Sequence, residues 1–121
     1  MGSAEKVNLA EKLALSDEHW SPKIVKELNG QHVKLVKLPG EFSWHHHDEE
    51  DELVFVVEDR LGMEFRDRSV LLEEGEMIVV SRGVEHRPVA EEEVQVMRFE
   101  PASTLNTGNV RNELTAEAEK I

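Results

Sequence analysis

Turn-forming residues interrupt the stretch from 24 to 100 so often that no helix of ordinary length fits between them. Breaks fall at Asn29-Gly30, Pro39-Gly40, 48–51, Asp59-Arg60, Asp67-Arg68, 73–75, Arg82-Gly83 and 91–93. The runs between them are short and rich in Val, Ile, Leu and Phe: 24–28, 32–38, 41–47, 52–58, 61–66, 69–72, 76–80, 86–90 and 94–99. Short strands at such close spacing predict an all-β barrel or sandwich. No gap has room for a crossover helix, so the strands should pair mostly antiparallel. Asn29-Gly30 is the strongest hairpin signal, because both residues tolerate the positive φ of a two-residue turn.

The two ends differ from this middle. In residues 1–23 a short helix over 8–15 is expected, with Asn8 as N-cap and Leu9 and Leu13 on one face; an extended arm is the alternative. Ser21-Pro22 stops any continuation. Residues 24–105 form the barrel. Residues 106–121 are polar, and 113–120 reads as a frayed helix or a mobile tail.

Composition narrows the function. At 121 residues the chain makes one domain with one modest core. No segment approaches the ~20 apolar residues of a membrane span, and the N-terminus lacks the apolar stretch of a secretory signal. A formal net charge of −12 opposes binding to nucleic acid and anionic lipid, so neither is an expected partner. There is no cysteine, which fits a cytoplasmic location and leaves only imidazole and carboxylate for metal binding.

Four of the six histidines are concentrated in two places: His45-His46-His47, followed by 48–52 (all acidic), and His86 just beyond Arg82-Gly83. On a strand, side chains alternate faces, so His45 and His47 point one way and His46 the other. Two imidazoles on one face, a carboxylate beyond a short loop and a distant third imidazole suit a transition-metal site. His19 and His32 have no partner motif and are expected at the surface.

The segments 40–58 and 75–86 resemble the two motifs of the cupin superfamily. The first runs from Gly40 through His45-x-His47 to Glu52 opening an apolar strand; the second runs from Gly75 through an apolar strand to Gly83 and His86. The chain looks most similar to small single-domain cupins of the mannose-6-phosphate isomerase-like group. Ser81 stands where such motifs have Pro, Asp59 where the first ends in Gly, Ala90 where the second often has Asn, and the gap from Gly40 to His45 is one residue short. The resemblance implies a small antiparallel jelly-roll barrel open at one end. It assigns metal-ligand roles to His45, His47, Glu52 and His86. Period two agrees for Glu52, which shares a face with Val54 and Val56; Asp51 is the nearest rival and falls on the opposite face.

One divalent transition metal per chain is therefore expected, with zinc, manganese, iron and nickel all compatible. Such a first shell leaves positions for water or substrate. The expected function is a metal-dependent isomerase, lyase or oxygenase acting on a small polar substrate such as a sugar, keto acid or hydroxy acid. The alternative is a metal-bearing domain that binds or senses a small ligand without turnover. Without tyrosine, Glu52 or a metal-bound hydroxide would be the base. Ser43, Met97 or Phe99, and Arg66 or Arg87, are expected near the metal. Phe42, Trp44 and His46 should lie on the face opposite the ligands, covered by Trp20, by the N-terminal segment or by a second subunit, which makes a homodimer the expected assembly.

Overall fold

Asn29 and Gly30 both have positive φ, 50° and 77°, the requirement of a tight two-residue hairpin. They join β1 (Lys23–Leu28) to β2 (Gln31–Glu41) with Leu28 opposite Gln31. This hairpin opens the sheet in a computed structural model that describes residues 4–121. A five-residue helix, α1 (Leu9–Leu13), precedes it; the Asn8 side chain accepts from the Glu11 N–H at 3.0 Å, as the N-cap reading expects. The remaining strands are β3 (Glu52–Glu58), β4 (Leu61–Phe65), β5 (Ser69–Leu72), β6 (Met77–Val80), β7 (His86–Pro101) and β8 (Glu119–Lys120).

Strand β7 is the spine. Its first residues pair with β4, its last half pairs with β3, and nearly its whole length pairs with β2. β6 completes the β3 side and β5 the β4 side. Every pairing between these strands is antiparallel except the short β1–β8 contact. The result is an antiparallel jelly-roll barrel, one of the two architectures that the turn spacing allows and the one that the motif resemblance implies.

Two expected breaks are not breaks. Pro39-Gly40 lies inside β2 and 91–93 lies inside β7. Leu38 pairs with Val94 and Gly40 with Ala90, so three residues of β7 face one of β2. Pro39 has no N–H to give the ladder, and Gly40 takes φ 73°. The pair therefore bulges and bends both strands, which lets them serve both halves of the barrel. Glu91, Glu92 and Glu93 are the exposed residues of that bulge. Asp59 takes φ 72° in the β3–β4 turn, and its carboxylate accepts from the Arg60 N–H.

The core fills by alternation. Val36 and Leu38 of β2, Val54 and Val56 of β3, and Val94 and Val96 of β7 point inward with Leu61, Met63, Leu72 and Val80. A second cluster lies outside the sheet, where Leu13 of α1 covers Val25 and Leu35. After β7, residues 102–118 cross the barrel in turns before β8 pairs with β1. Thr104, Asn106 and Thr107 are buried there, and 113–118 is not helical. Among the described residues no helix is long and apolar enough to cross a membrane.

Candidate metal centre

The His45–His47 segment is not a strand. Residues 42–44 and 46–47 carry no ladder, and only His45 makes an isolated bridge, to His86. The two residues exchange backbone bonds: His45 N–H to His86 C=O at 3.1 Å, and His86 N–H to His45 C=O at 2.9 Å. The Gly83 N–H donates to the His47 carbonyl at 2.8 Å. Gly83, at φ 79°, makes the tight turn that Ser81 does not disturb. The two histidine motifs, 39 positions apart, are thus laid directly against each other.

His45, His47 and His86 are all buried, at 2%, 3% and 1% exposure, and each offers a ring nitrogen within 4.8 Å of the others, so the three can hold a metal ion. His45 Nδ1 donates to the Ser43 carbonyl at 2.8 Å, and His86 Nδ1 to the Val84 carbonyl at 2.9 Å. A carbonyl only accepts, so Nδ1 carries the proton and Nε2 presents a lone pair, the arrangement of metal-bound histidines. Burial, reinforced by the neighbouring His86, pulls the His45 pKa down to about 3, so its ring is neutral at ordinary pH.

Glu52 sits against this triad. Its Oε2 is 3.3 Å from His47 Nε2 and its Oε1 is 3.7 Å from His86 Nε2. Neither contact is a well-formed hydrogen bond, and His47 Nε2, His86 Nε2 and Glu52 Oε2 are all buried without one. Buried polar atoms seldom go unpaired, and a divalent cation among them would satisfy all three at once. The donor set fits the metal that the sequence motifs imply.

Sequence reasoning missed the charges behind Glu52. Arg98 and Glu100 on β7 and Lys34 on β2 are inside the barrel, at 3%, 1% and 2% exposure. Lys34 Nζ donates to Glu100 Oε1 at 3.0 Å and to the Thr104 carbonyl at 3.3 Å. Burial alone would push the Glu52 carboxyl up; the Arg98 guanidinium, the two imidazoles and Glu100 outweigh it and hold Glu52 well below the usual carboxylate range. Burial and the Glu52 charge push Glu100 up to about 8. A signal for these residues existed: Val94 and Val96 face the core, and the same phase continues to Arg98 and Glu100.

That phase corrects an expectation. Met97 packs outside the sheet near Leu35, and Phe99 lies on the same outer face, so neither reaches the site. Arg66 and Arg87 do not reach it either; their guanidinium carbons lie 3.9 Å and 5.3 Å from the centre of the Trp44 ring. Phe42 is not opposite the ligands. It is buried, its ring edge-on to His45 at 5.4 Å and stacked on Trp20 at 5.1 Å. Strict alternation fails at 42 because the segment is irregular there. His46 does turn away, its Nε2 on Asp48 at 2.8 Å, and Asp51 is bonded to Arg82. Ser43 serves the site through its carbonyl; its hydroxyl accepts from Asn112. His19 is exposed beside Glu93, and His32 is partly buried beside Glu27.

The family profile described as Cupin domain matches residues 33–100, which include all four motif residues. The chain belongs to the cupin family. The fold of this cupin is shared by a cupin-2 domain protein of Shewanella frigidimarina, 45% identical, with a TM-score of 0.78 over 78% of this chain and 93% of that one. Protein NMB1881 of Neisseria meningitidis is 38% identical, with a TM-score of 0.74 over 80% of this chain and 99% of that one. The Bacillus subtilis protein YdbB is 34% identical over 52% of this cupin, a match that spans 57% of YdbB. Beside the three histidines of this cupin, His47 helps to line a cleft of about 320 Å³ together with Asp48, Glu49, Glu50, Asn109 and Arg111.

Proposed function

We propose that this cupin binds one divalent transition metal per chain through His45, His47, Glu52 and His86, and uses it as an enzyme on a small polar substrate. The observation that carries the reading is the convergence of the buried, unpaired His47 Nε2, His86 Nε2 and Glu52 Oε2 beside a neutral His45. One carboxylate and three neutral imidazoles leave a divalent ion with a single net positive charge. That charge polarises a bound carbonyl or acidifies a bound water. The cleft at His47 supports ligand exchange rather than a purely structural ion. Elemental analysis should find about one metal per wild-type chain and little in His86→Ala. Wild-type protein reconstituted with that metal, but not the stripped protein, should turn over a member of a sugar, keto-acid and hydroxy-acid panel; binding without turnover would favour the sensing role.

We also propose a homodimer, through a surface other than Phe42 and Trp44, which this chain covers with its own side chains. On the outer face of β6, β3 and β7, Val79 pairs with Leu53 and Leu53 with Phe99, while Met77 pairs with Phe55 and Phe55 with Met97. These two apolar rows carry no charge, and Met77 and Val79 are 59% and 53% exposed.

A further inference from the structure

The metal-binding segment has β-like support on one side only, from His86 and Gly83. On its other side the C-terminal segment takes the place of a strand. The Asn109 N–H donates to the His46 carbonyl at 3.0 Å, and Asn109 Oδ1 accepts from the His46 N–H at 2.9 Å. One residue thereby pins both peptide groups that join the three consecutive histidines. Asn112 adds a bond from its side-chain amide to the Ser43 hydroxyl at 2.7 Å.

Gly108 makes this approach feasible. It has φ 56°, and a Cβ there would overlap the His46 carbonyl oxygen and lie 3.1 Å from His45 Cδ2. The segment is itself braced. Asn106 holds the Leu114 carbonyl and the Ala116 N–H through its side chain, and the hydroxyls of Thr107 and Thr115 are 2.7 Å apart. Thr107 is fully buried. The Cupin domain match stops at residue 100, so this support lies outside the part of the chain that carries the family motifs.

We propose that Gly108 and Asn109 are positioning residues: they clamp residues 43–46 from the side opposite His86 and so set where His45 and His47 present their nitrogens. The same segment supplies Asn109 and Arg111 to the wall of the cleft at His47, so the clamp also bounds what reaches the metal. The inference rests on the metal-binding reading above.

Cobalt(II) titration of the full chain, followed by visible absorption, tests both and separates them. Asn109→Ala and Gly108→Ala should each weaken cobalt affinity by roughly ten-fold or more, the usual effect of removing a group that orients a metal ligand, and should alter the cobalt spectrum. Asn109→Asp keeps the acceptor for the His46 N–H and should bind cobalt like wild type. Wild-type affinity and spectrum in both alanine variants, with binding abolished in His45→Ala, would overturn the clamp and leave the metal site standing. Loss in Asn109→Asp equal to that in Asn109→Ala would overturn the acceptor role. No cobalt binding by wild type would remove the metal reading, and the clamp with it. Should one alanine variant fail to fold, the other decides on the same criteria.

Discussion

Arg98 stands opposite Val54 on β3, two residues from Glu52, and both Arg98 and Glu52 point into the barrel. Its guanidinium is the strongest of the influences that keep the Glu52 carboxyl ionised against the cost of burial. Arg98→Met removes that cation and leaves Glu52 with only the two imidazoles and Glu100 to offset its burial. Stability should fall, because the buried Glu52 charge loses its main compensating cation, and metal affinity should fall by roughly ten-fold. Urea unfolding and calorimetric metal titration measure the two effects. Arg98→Lys should recover part of both.

Glu52 and Asp51 are adjacent in sequence and opposite in environment: one is 2% exposed beside the imidazoles, the other is bonded to Arg82 at the surface. Glu52→Gln should keep the barrel folded and weaken metal binding by roughly ten-fold or more, while Asp51→Asn leaves affinity unchanged. The reverse ranking in a metal titration would exclude Glu52 as a ligand.

In the metal-free protein two buried groups should shift stability in opposite directions as pH changes. The folded His45 pKa, about 3, lies below its ordinary 6.5, so folding favours the neutral ring. Its contribution is complete above pH 6.5 and is lost as pH falls toward 3. Glu100 is the opposite case, raised from 4.5 to about 8, and its contribution is lost as pH rises through that interval. Chemical unfolding across pH should therefore show the loss below pH 6.5 reduced in His45→Gln and the loss from pH 4.5 to about 8 reduced in Glu100→Gln.

Wild type should scatter light as a dimer of the 13.8 kDa chain. Val79→Lys places a charge in the exposed apolar row of β6 and should yield a monomer without loss of fold. A wild-type monomer at all concentrations would remove the homodimer.

Much of the fold and of the centre was legible because it depends on short-range pattern. Asn29-Gly30 can make one kind of turn, and Glu52, Val54 and Val56 alternate within one regular strand. His45 and His47 ended on one side of their segment, as expected, although that segment is not a strand; the bridge to His86 enforces what period two anticipated. Phe42, three residues earlier, has no such bridge, and there the alternation misled. Pro39-Gly40 and 91–93 looked like two ends and proved to be two sides of one bulge, visible only once β2 and β7 are paired.

The sequence by itself determined the short antiparallel strands, the hairpin at Asn29-Gly30 and the shared face of Glu52, Val54 and Val56, since these follow from local backbone preference and side-chain period; its motif resemblance implied the barrel and the meeting of the His-x-His motif with His86. Only the tertiary structure decided that Arg98, Glu100 and Lys34 lie inside, and that the polar stretch after residue 101 docks on His46. Charged and polar side chains are at home in water by default, so nothing local marks them as buried. Their burial depends on partners that meet only on folding: Lys34 and Glu100, 66 positions apart, and Asn109 and His46, 63 apart.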